Sequence, residues 1–305
     1  MSRAGLLIAL AATLGACGEG TTHYVGSQRI AEGGASGGSP TVGCPLAPGT
    51  NQYVSLDSSD RARRLLISVP EDYDPDRAYP VVFGFHARDE DGAFIQGELG
   101  LEAEAPRWAI YVYPDGLDRE WTDGSHGTGW QNGPATTYYG GTEDLTFVSD
   151  VLTLLEGELC VSTEKLFAVG RWWGAEFASV VGCYLGDRFD AIVAAHGNEP
   201  YYLPLEAESE PPCVGEVGVW GLHGKGDAEF PLQCGLDQRD FWLRQNDCDP
   251  DSATTVNLPG TGADDDCVEY SCPGPPVGFC AFAAEFGQTI PDYFAANAIA
   301  FLQAQ

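Results

Sequence analysis

Beyond about Cys44 the chain alternates short apolar runs with stretches whose apolar residues recur at helical spacing. Leu65-Leu66-Ile67-Ser68-Val69 predicts a strand closed by Pro70, and Val81-Val82-Phe83-Gly84-Phe85 predicts a second. Ala109-Ile110-Tyr111-Val112-Tyr113 predicts a third, running into the turn Pro114-Asp115-Gly116. Phe147, Val151 and Leu155, with Val148, Leu152 and Leu159, repeat at i, i+4 and predict an amphipathic helix. Leu166 to Val169 reads as a strand that passes through Gly170 into a helix turning Phe177, Val180 and Val181 inward. Ala191 to Ala195 and Val217 to Leu222 are two more buried strands, and Tyr293 to Leu302 reads as a closing helix. Nearly continuous apolar strands between helices require a parallel sheet covered on both faces, because neither side of such a strand meets water. The expected fold class is therefore α/β, in a single domain. Asp247 to Cys280 has no such period and holds four cysteines, so a disulfide-held excursion is expected there.

The start of the chain does not belong to this pattern. Arg3 precedes an apolar run, Gly5 to Ala12, that is too short to span a bilayer. Leu14-Gly15-Ala16-Cys17 then resembles a bacterial lipobox, and the following Gly/Ser-rich stretch has no apolar period. The expected organisation is a signal peptide over 1–16, a tether over 17–43 and a globular domain over 44–305. Cys17 would be acylated and hold the protein on the bacterial outer membrane, facing the periplasm or the exterior. An ordinary secretory signal with an incidental cysteine is the alternative.

Charge narrows the partners. The 305 residues carry 45 Asp and Glu against 15 Lys and Arg, a formal net charge of −30, which repels phosphate backbones and anionic lipid. No nucleic-acid partner is expected, and membrane contact is expected only through Cys17. In an exported chain the cysteines are expected to form disulfides, and no Cys-x-x-Cys pair argues for zinc. Nine remain beyond Cys17, so one thiol should be free or paired between chains. Connectivity stays open; Cys160 with Cys183 is one pairing, on the ground that their elements should be neighbours.

Five motifs occur in order: Val69-Pro70-Glu71-Asp72-Tyr73-Asp74, Tyr79-Pro80, His86, Tyr113-Pro114-Asp115-Gly116 and Leu222-His223-Gly224-x-x-Asp227. The ordered set resembles the polyhydroxybutyrate depolymerase and feruloyl/acetylxylan esterase group of α/β-hydrolases, over roughly Arg61 to Phe301. That resemblance implies an α/β-hydrolase fold, a secreted serine esterase of the carboxylic-ester hydrolase class, and machinery in the order Ser, Asp, His. The nucleophile elbow maps onto Gly170-Arg171-Trp172-Trp173-Gly174, where both glycines are present but Trp172 stands at the nucleophile position. Indole has an N–H donor and no group that attacks a carbonyl. Asp227 fills the acid position. The family's Gly-His pair before the last helix corresponds to Gly287-Gln288, and an amide takes up no proton near neutral pH. In the oxyanion region the family's His-Gly is His86-Ala87, where the Cβ is expected to spoil the backbone approach, and the Trp173 N–H is expected to leave a partial oxyanion hole.

On this reading the chain is expected not to be an enzyme: a degenerate scaffold, without cofactor or metal, that holds a small ester, phenolic or sugar-polymer ligand. Trp121 to Trp130, with Tyr138 and Tyr139, either line such a cleft or pack in the core. The alternatives are an active secreted ester hydrolase using an unrecognised nucleophile, and a structural lipoprotein of the cell envelope. The other histidines, His23, His86, His126, His196 and His223, are expected to be structural. Asp247-x-Asp249-x-Asp251 opens like a calcium loop, but Ser252 and Leu258 break the pattern, so a solvated acidic loop is expected.

Overall fold

The computed structural model describes residues 46–120, 124–134, 140–200, 213–228, 230–284 and 289–305. The expected signal peptide, Cys17 and the tether lie outside these residues. So do Trp121, Tyr138, Tyr139 and Gln288.

The chain opens with an antiparallel pair, β1 (Gly49–Ser58) and β2 (Arg61–Val69), then enters the sheet's centre with β3 (Tyr79–Phe85). Helices α1 (Gly92–Leu99) and α2 (Leu101–Glu104) lead to β4 (Ile110–Pro114). A two-stranded flap, β5 (Leu117–Glu120) and β6 (His126–Gly129), precedes α3 (Glu143–Glu158). Then follow β7 (Val161–Arg171), α4 (Trp173–Tyr184), β8 (Ala191–Ala195), β9 (Gly218–Gly224) and α5 (Leu232–Gln245). The chain ends with β10 (Thr254–Thr255), β11 (Asp266–Tyr270), β12 (Val277–Phe282) and α6 (Phe294–Gln303).

Ten strands form one sheet in the order β1-β2-β4-β3-β7-β8-β9-β12-β11-β10. The six from β4 to β12 run parallel, and antiparallel partners flank them at both ends. Alternate residues of each central strand feed opposite cores, as the period of two demands. Val81, Phe83 and Phe85 join Phe147, Phe177 and Trp242 from α3, α4 and α5. Val82 joins Leu99, Phe294 and Leu302 from α1 and α6 on the other face. The strand order reverses across β3 and β7, and open α/β sheets bind ligands beyond the carboxyl ends at such a switch point.

Two expectations are corrected. The segment 247–280 is not merely an excursion, because β11 and β12 extend the main sheet, with β12 parallel to β9. Its alternation is masked in the sequence because β12 is buried along its whole length. Cys160 is disulfide-bonded but not to Cys183, whose partner is Cys213. The reason is that α4 carries Cys183 toward the segment leading into β9, not toward the start of β7. Cys248 pairs with Cys272 and Cys267 with Cys280, across the β11–β12 hairpin, and Cys234 is the free thiol among the described residues. These bonds fit an oxidising compartment. Among the described residues, no helix is long and apolar enough to cross a membrane.

The first strands are tied to α3 by a buried ion pair. Arg63 meets Asp144 at 2.8 Å and lies over the Phe147 ring at 3.9 Å, while Arg119 and the Gln131 N–H also reach Asp144, each at 2.8 Å. Deleting one partner of a buried pair strands the other charge without solvent. Asp144→Ala is expected to lower stability by about 3–5 kcal/mol in chemical denaturation, and Arg63→Met/Asp144→Leu by clearly less.

Candidate active site

The site begins with a turn that only glycine permits. A Cβ on Gly170 would collide with the Gly174 carbonyl, and one on Gly174 would collide with the Phe85 carbonyl of β3. With both absent, α4 starts immediately after β7 and packs against the end of β3. Trp172 sits at the corner with φ 54° and ψ −118°, a region L-residues avoid, at a cost of order 1–3 kcal/mol. Its N–H donates to the Ala195 carbonyl at 2.8 Å, and its carbonyl accepts from Ala175 and Glu176. The corner is therefore over-determined by its neighbours and presents residue 172 at the carboxyl end of the sheet.

The Trp172 ring stands edge-on to Phe230 at 5.5 Å and to Trp173 at 6.4 Å, and Trp173 meets Phe230 at 6.5 Å. Trp172 and Trp173 are half-buried, so the trio offers an aromatic platform at the surface of the site. The Trp172 indole N–H is buried and has no partner among the described residues. Trp130 is not part of a cleft. It is stacked on Phe177 at 4.8 Å and edge-on to Phe85, inside the core.

Asp227 lies just beyond β9, in the turn that enters α5. Its Oδ1 accepts the Phe230 N–H at 2.9 Å, and its Oδ2 meets His196 Nδ1 at 2.8 Å. Both side chains are fully buried. His196 comes from the end of β8, next to the elbow strand, at φ 57°. Its Nε2 faces the Thr289 carbonyl at 3.3 Å. Burial holds the imidazole below its ordinary pKa despite the Asp227 bond, so the ring is neutral near neutral pH. His223, from β9, packs 5.1 Å from His196 between ring centroids. Its Nε2 donates to the Phe230 carbonyl at 2.8 Å, and Nδ1 is buried without a partner among the described residues. Burial pushes its pKa down to about 4. One donor atom each from His196, His223 and Asp227 lies within 4.8 Å of the others.

At the expected oxyanion region the backbone donor of Ala87 is already bonded within the chain. The Ala87 N–H donates to Glu90 Oε2 at 2.9 Å, and Glu90 is itself ion-paired with Arg171 of the elbow. That donor is already committed. His86 accepts the Gly116 N–H at Nε2 and donates from Nδ1 to the Ala87 carbonyl, so both its nitrogens serve the backbone. A groove of about 760 Å³ beside Glu90 is lined by Arg64, Asp89, Asp91 and Asp115, and includes none of Trp172, His196 or Asp227.

Sequence reasoning took His196 as structural and did not foresee its contact with Asp227. It sought the base near the chain's end, in family order, whereas β8 and β9 are neighbours in the sheet and bring residues 31 apart into contact. The available signal was a histidine directly after an apolar strand beside the elbow strand.

No family model matches the chain. It is 27% identical over 252 residues to Feruloyl esterase C of Emericella nidulans, covering 80% of this chain and 83% of the relative. It is 26% identical over 245 residues to Feruloyl esterase D of Neurospora crassa, covering 76% of each. In fold it is similar to an acetyl xylan esterase from Aspergillus awamori, with a TM-score of 0.61, 12% identity and coverage of 80% and 94%. A Bacillus cereus carboxylesterase gives a TM-score of 0.53 at 13% identity, covering 80% and 95%. The chain is an α/β-hydrolase fold on an esterase-type scaffold. The expectation that it is no enzyme does not stand: relatives bearing feruloyl esterase names across most of its length point to a carboxylesterase. That expectation was reached with His196 taken as structural.

Glu176, one turn into α4, is wholly buried, and desolvation, then the charge of Glu199, push its carboxyl up to about 8. Unfolded, it titrates near its ordinary 4.5. Between those values the folded chain keeps a proton that the unfolded chain has released, so stability falls as pH rises through that window. Glu176→Gln carries no charge at any pH. The variant's melting temperature is expected to gain on the parent's from about pH 5 to about pH 8, read by calorimetry.

Proposed function

We propose that this chain is a carboxylic-ester hydrolase acting on esters of small aromatic acids, with water as its attacking group. The observation that carries this reading is the buried His196–Asp227 pair at 2.8 Å beside the elbow. The feruloyl esterase names of its relatives support the substrate class.

Trp172 has no attacking group, so the nucleophile is supplied by solvent. With Asp227 accepting Nδ1–H, the His196 lone pair is on Nε2, where a base is needed. A water taking the place of the Thr289 carbonyl at Nε2 loses a proton to it and attacks the ester carbonyl. The tetrahedral intermediate expels the alcohol oxygen, which takes that proton back. Negative charge develops beside the first turn of α4, whose positive end faces the elbow. The aromatic platform of Trp172, Trp173 and Phe230 holds the acid's ring, and the unpartnered indole N–H of Trp172 donates to the ester or phenol oxygen. The lipobox-like Leu14-Gly15-Ala16-Cys17 supports an exported lipoprotein anchored through Cys17, the remainder of 17–43 serving as tether.

The test is turnover of methyl ferulate and p-nitrophenyl acetate. The parent is expected to exceed the buffer rate, and His196→Gln and Asp227→Asn each to lose about 100-fold or more in kcat. A parent no faster than buffer, or variants as fast as the parent, overturns the reading. Trp172→Phe keeps the ring and removes the donor, so its KM for methyl ferulate is expected to rise about tenfold with kcat little changed. A serine-reactive phosphonate is expected to leave the parent unlabelled; a labelled side chain would replace water as the nucleophile.

A further inference from the structure

Both histidines beneath the elbow are held in the same way. The Nε2 of His223 donates to the Phe230 carbonyl, and the Nε2 of His196 faces the Thr289 carbonyl. This is how metal-ligating imidazoles are oriented, with the outer N–H on a carbonyl and the other nitrogen presented as a ligand. The inner nitrogens are the unusual part. His223 Nδ1 is a bare lone pair, fully buried and unpartnered among the described residues. His196 Nδ1 is 2.8 Å from a carboxylate oxygen.

A neutral imidazole cannot satisfy both His196 contacts. One proton serves either Asp227 or the Thr289 carbonyl, and the other nitrogen's lone pair then faces an acceptor. A divalent cation removes the conflict. Seated between His196 Nδ1, His223 Nδ1 and Asp227 Oδ2, it is bound by two lone pairs and a charge, while both Nε2–H groups keep their carbonyls. We propose that His196, His223 and Asp227 form a binding site for a divalent cation of the zinc class, and that filling it switches the hydrolytic base off.

The donor set, two imidazoles and a carboxylate, suits zinc and cobalt(II) better than calcium or magnesium, which prefer oxygen. One donor atom from each of the three residues lies within 4.8 Å of the others, and rotation of the rings would bring the two Nδ1 atoms and Asp227 Oδ2 toward the roughly 3.3 Å edges of a tetrahedron with ~2.0 Å arms. Gly235 of α5 leaves His223 Nδ1 uncovered, since a Cβ there would press on that nitrogen. Water completes the coordination. The proton balance is simple: when His196 gives Nδ1 to the cation, its single proton moves to Nε2, where the Thr289 carbonyl accepts it. Nε2 then has no lone pair to take a proton from the attacking water. The switching half rests on the ester-hydrolase reading above; the binding half does not.

Chelator-stripped full-length protein is titrated with Co²⁺, following visible absorption, proton NMR and methyl ferulate turnover together. One equivalent is expected to give the bands of four-coordinate Co²⁺ and two paramagnetically shifted, exchangeable imidazole N–H resonances, one per histidine. Turnover is expected to fall at least about tenfold with the same midpoint and to return with chelator. His223→Gln, checked for folding by circular dichroism, is expected to lose both bands and inhibition. The two resonances report on the parent itself, so a variant that does not fold leaves the test intact. Absence of saturable Co²⁺ binding, or of shifted N–H resonances, overturns the site. Turnover that persists at saturation overturns the switch. A protein that binds Co²⁺ with both resonances but hydrolyses no ester retains the site and removes the hydrolase reading instead.

Discussion

The close approach of backbone to backbone at the end of β7 is the constraint on which the rest of the site depends. Gly170 and Gly174 let α4 begin hard against β7 and the end of β3, where any side chain would overlap a carbonyl. That contact forces residue 172 into a positive-φ corner and fixes the N-terminus of α4 at the carboxyl edge of the sheet. It also sets where β8 runs, because the Trp172 N–H is bonded to Ala195, one residue before His196. An arrangement of this kind persists whatever side chain stands at the corner, since the strain is met by the backbone and not by the residue it presents.

The second determinant is the carboxylate of Asp227. A buried carboxylate demands donors, and here the Phe230 N–H and a histidine meet that demand. That imidazole comes from the end of β8, beside the elbow strand. The same placement brings His196 beside His223, and the two rings with Asp227 concentrate titratable groups in a buried space. Arg171 and Glu90 play a comparable part on the other side of the elbow, where Glu90 pairs with Arg171 and takes the Ala87 N–H.

Much of the scaffold was legible in the chain. The apolar runs at Val81, Ile110, Leu166, Ala191 and Val219 are the central strands, because a strand covered on both faces must be apolar throughout. The glycines of the elbow and Asp227 after β9 were legible as local signals. Strands β1 and β11 and the parallel strand β12 were not. The exposed positions of β1 and β11 break the apolar run, and β12 sits among cysteines and glycines that suggest a loop. The disulfide partners were not legible either, since Cys183 and Cys213 meet only when α4 and the approach to β9 are packed together.

By itself the sequence determined the α/β class, the order of the parallel strands' elements, the glycine corner at Trp172 and the absence of a nucleophilic side chain there. These follow from periodicity, sterics and functional-group chemistry, all local to a few residues. Only the tertiary structure decided what Asp227 faces. His196 and Asp227 are joined because β8 and β9 are neighbours in the sheet, and strand adjacency is a long-range outcome of packing that no local pattern encodes.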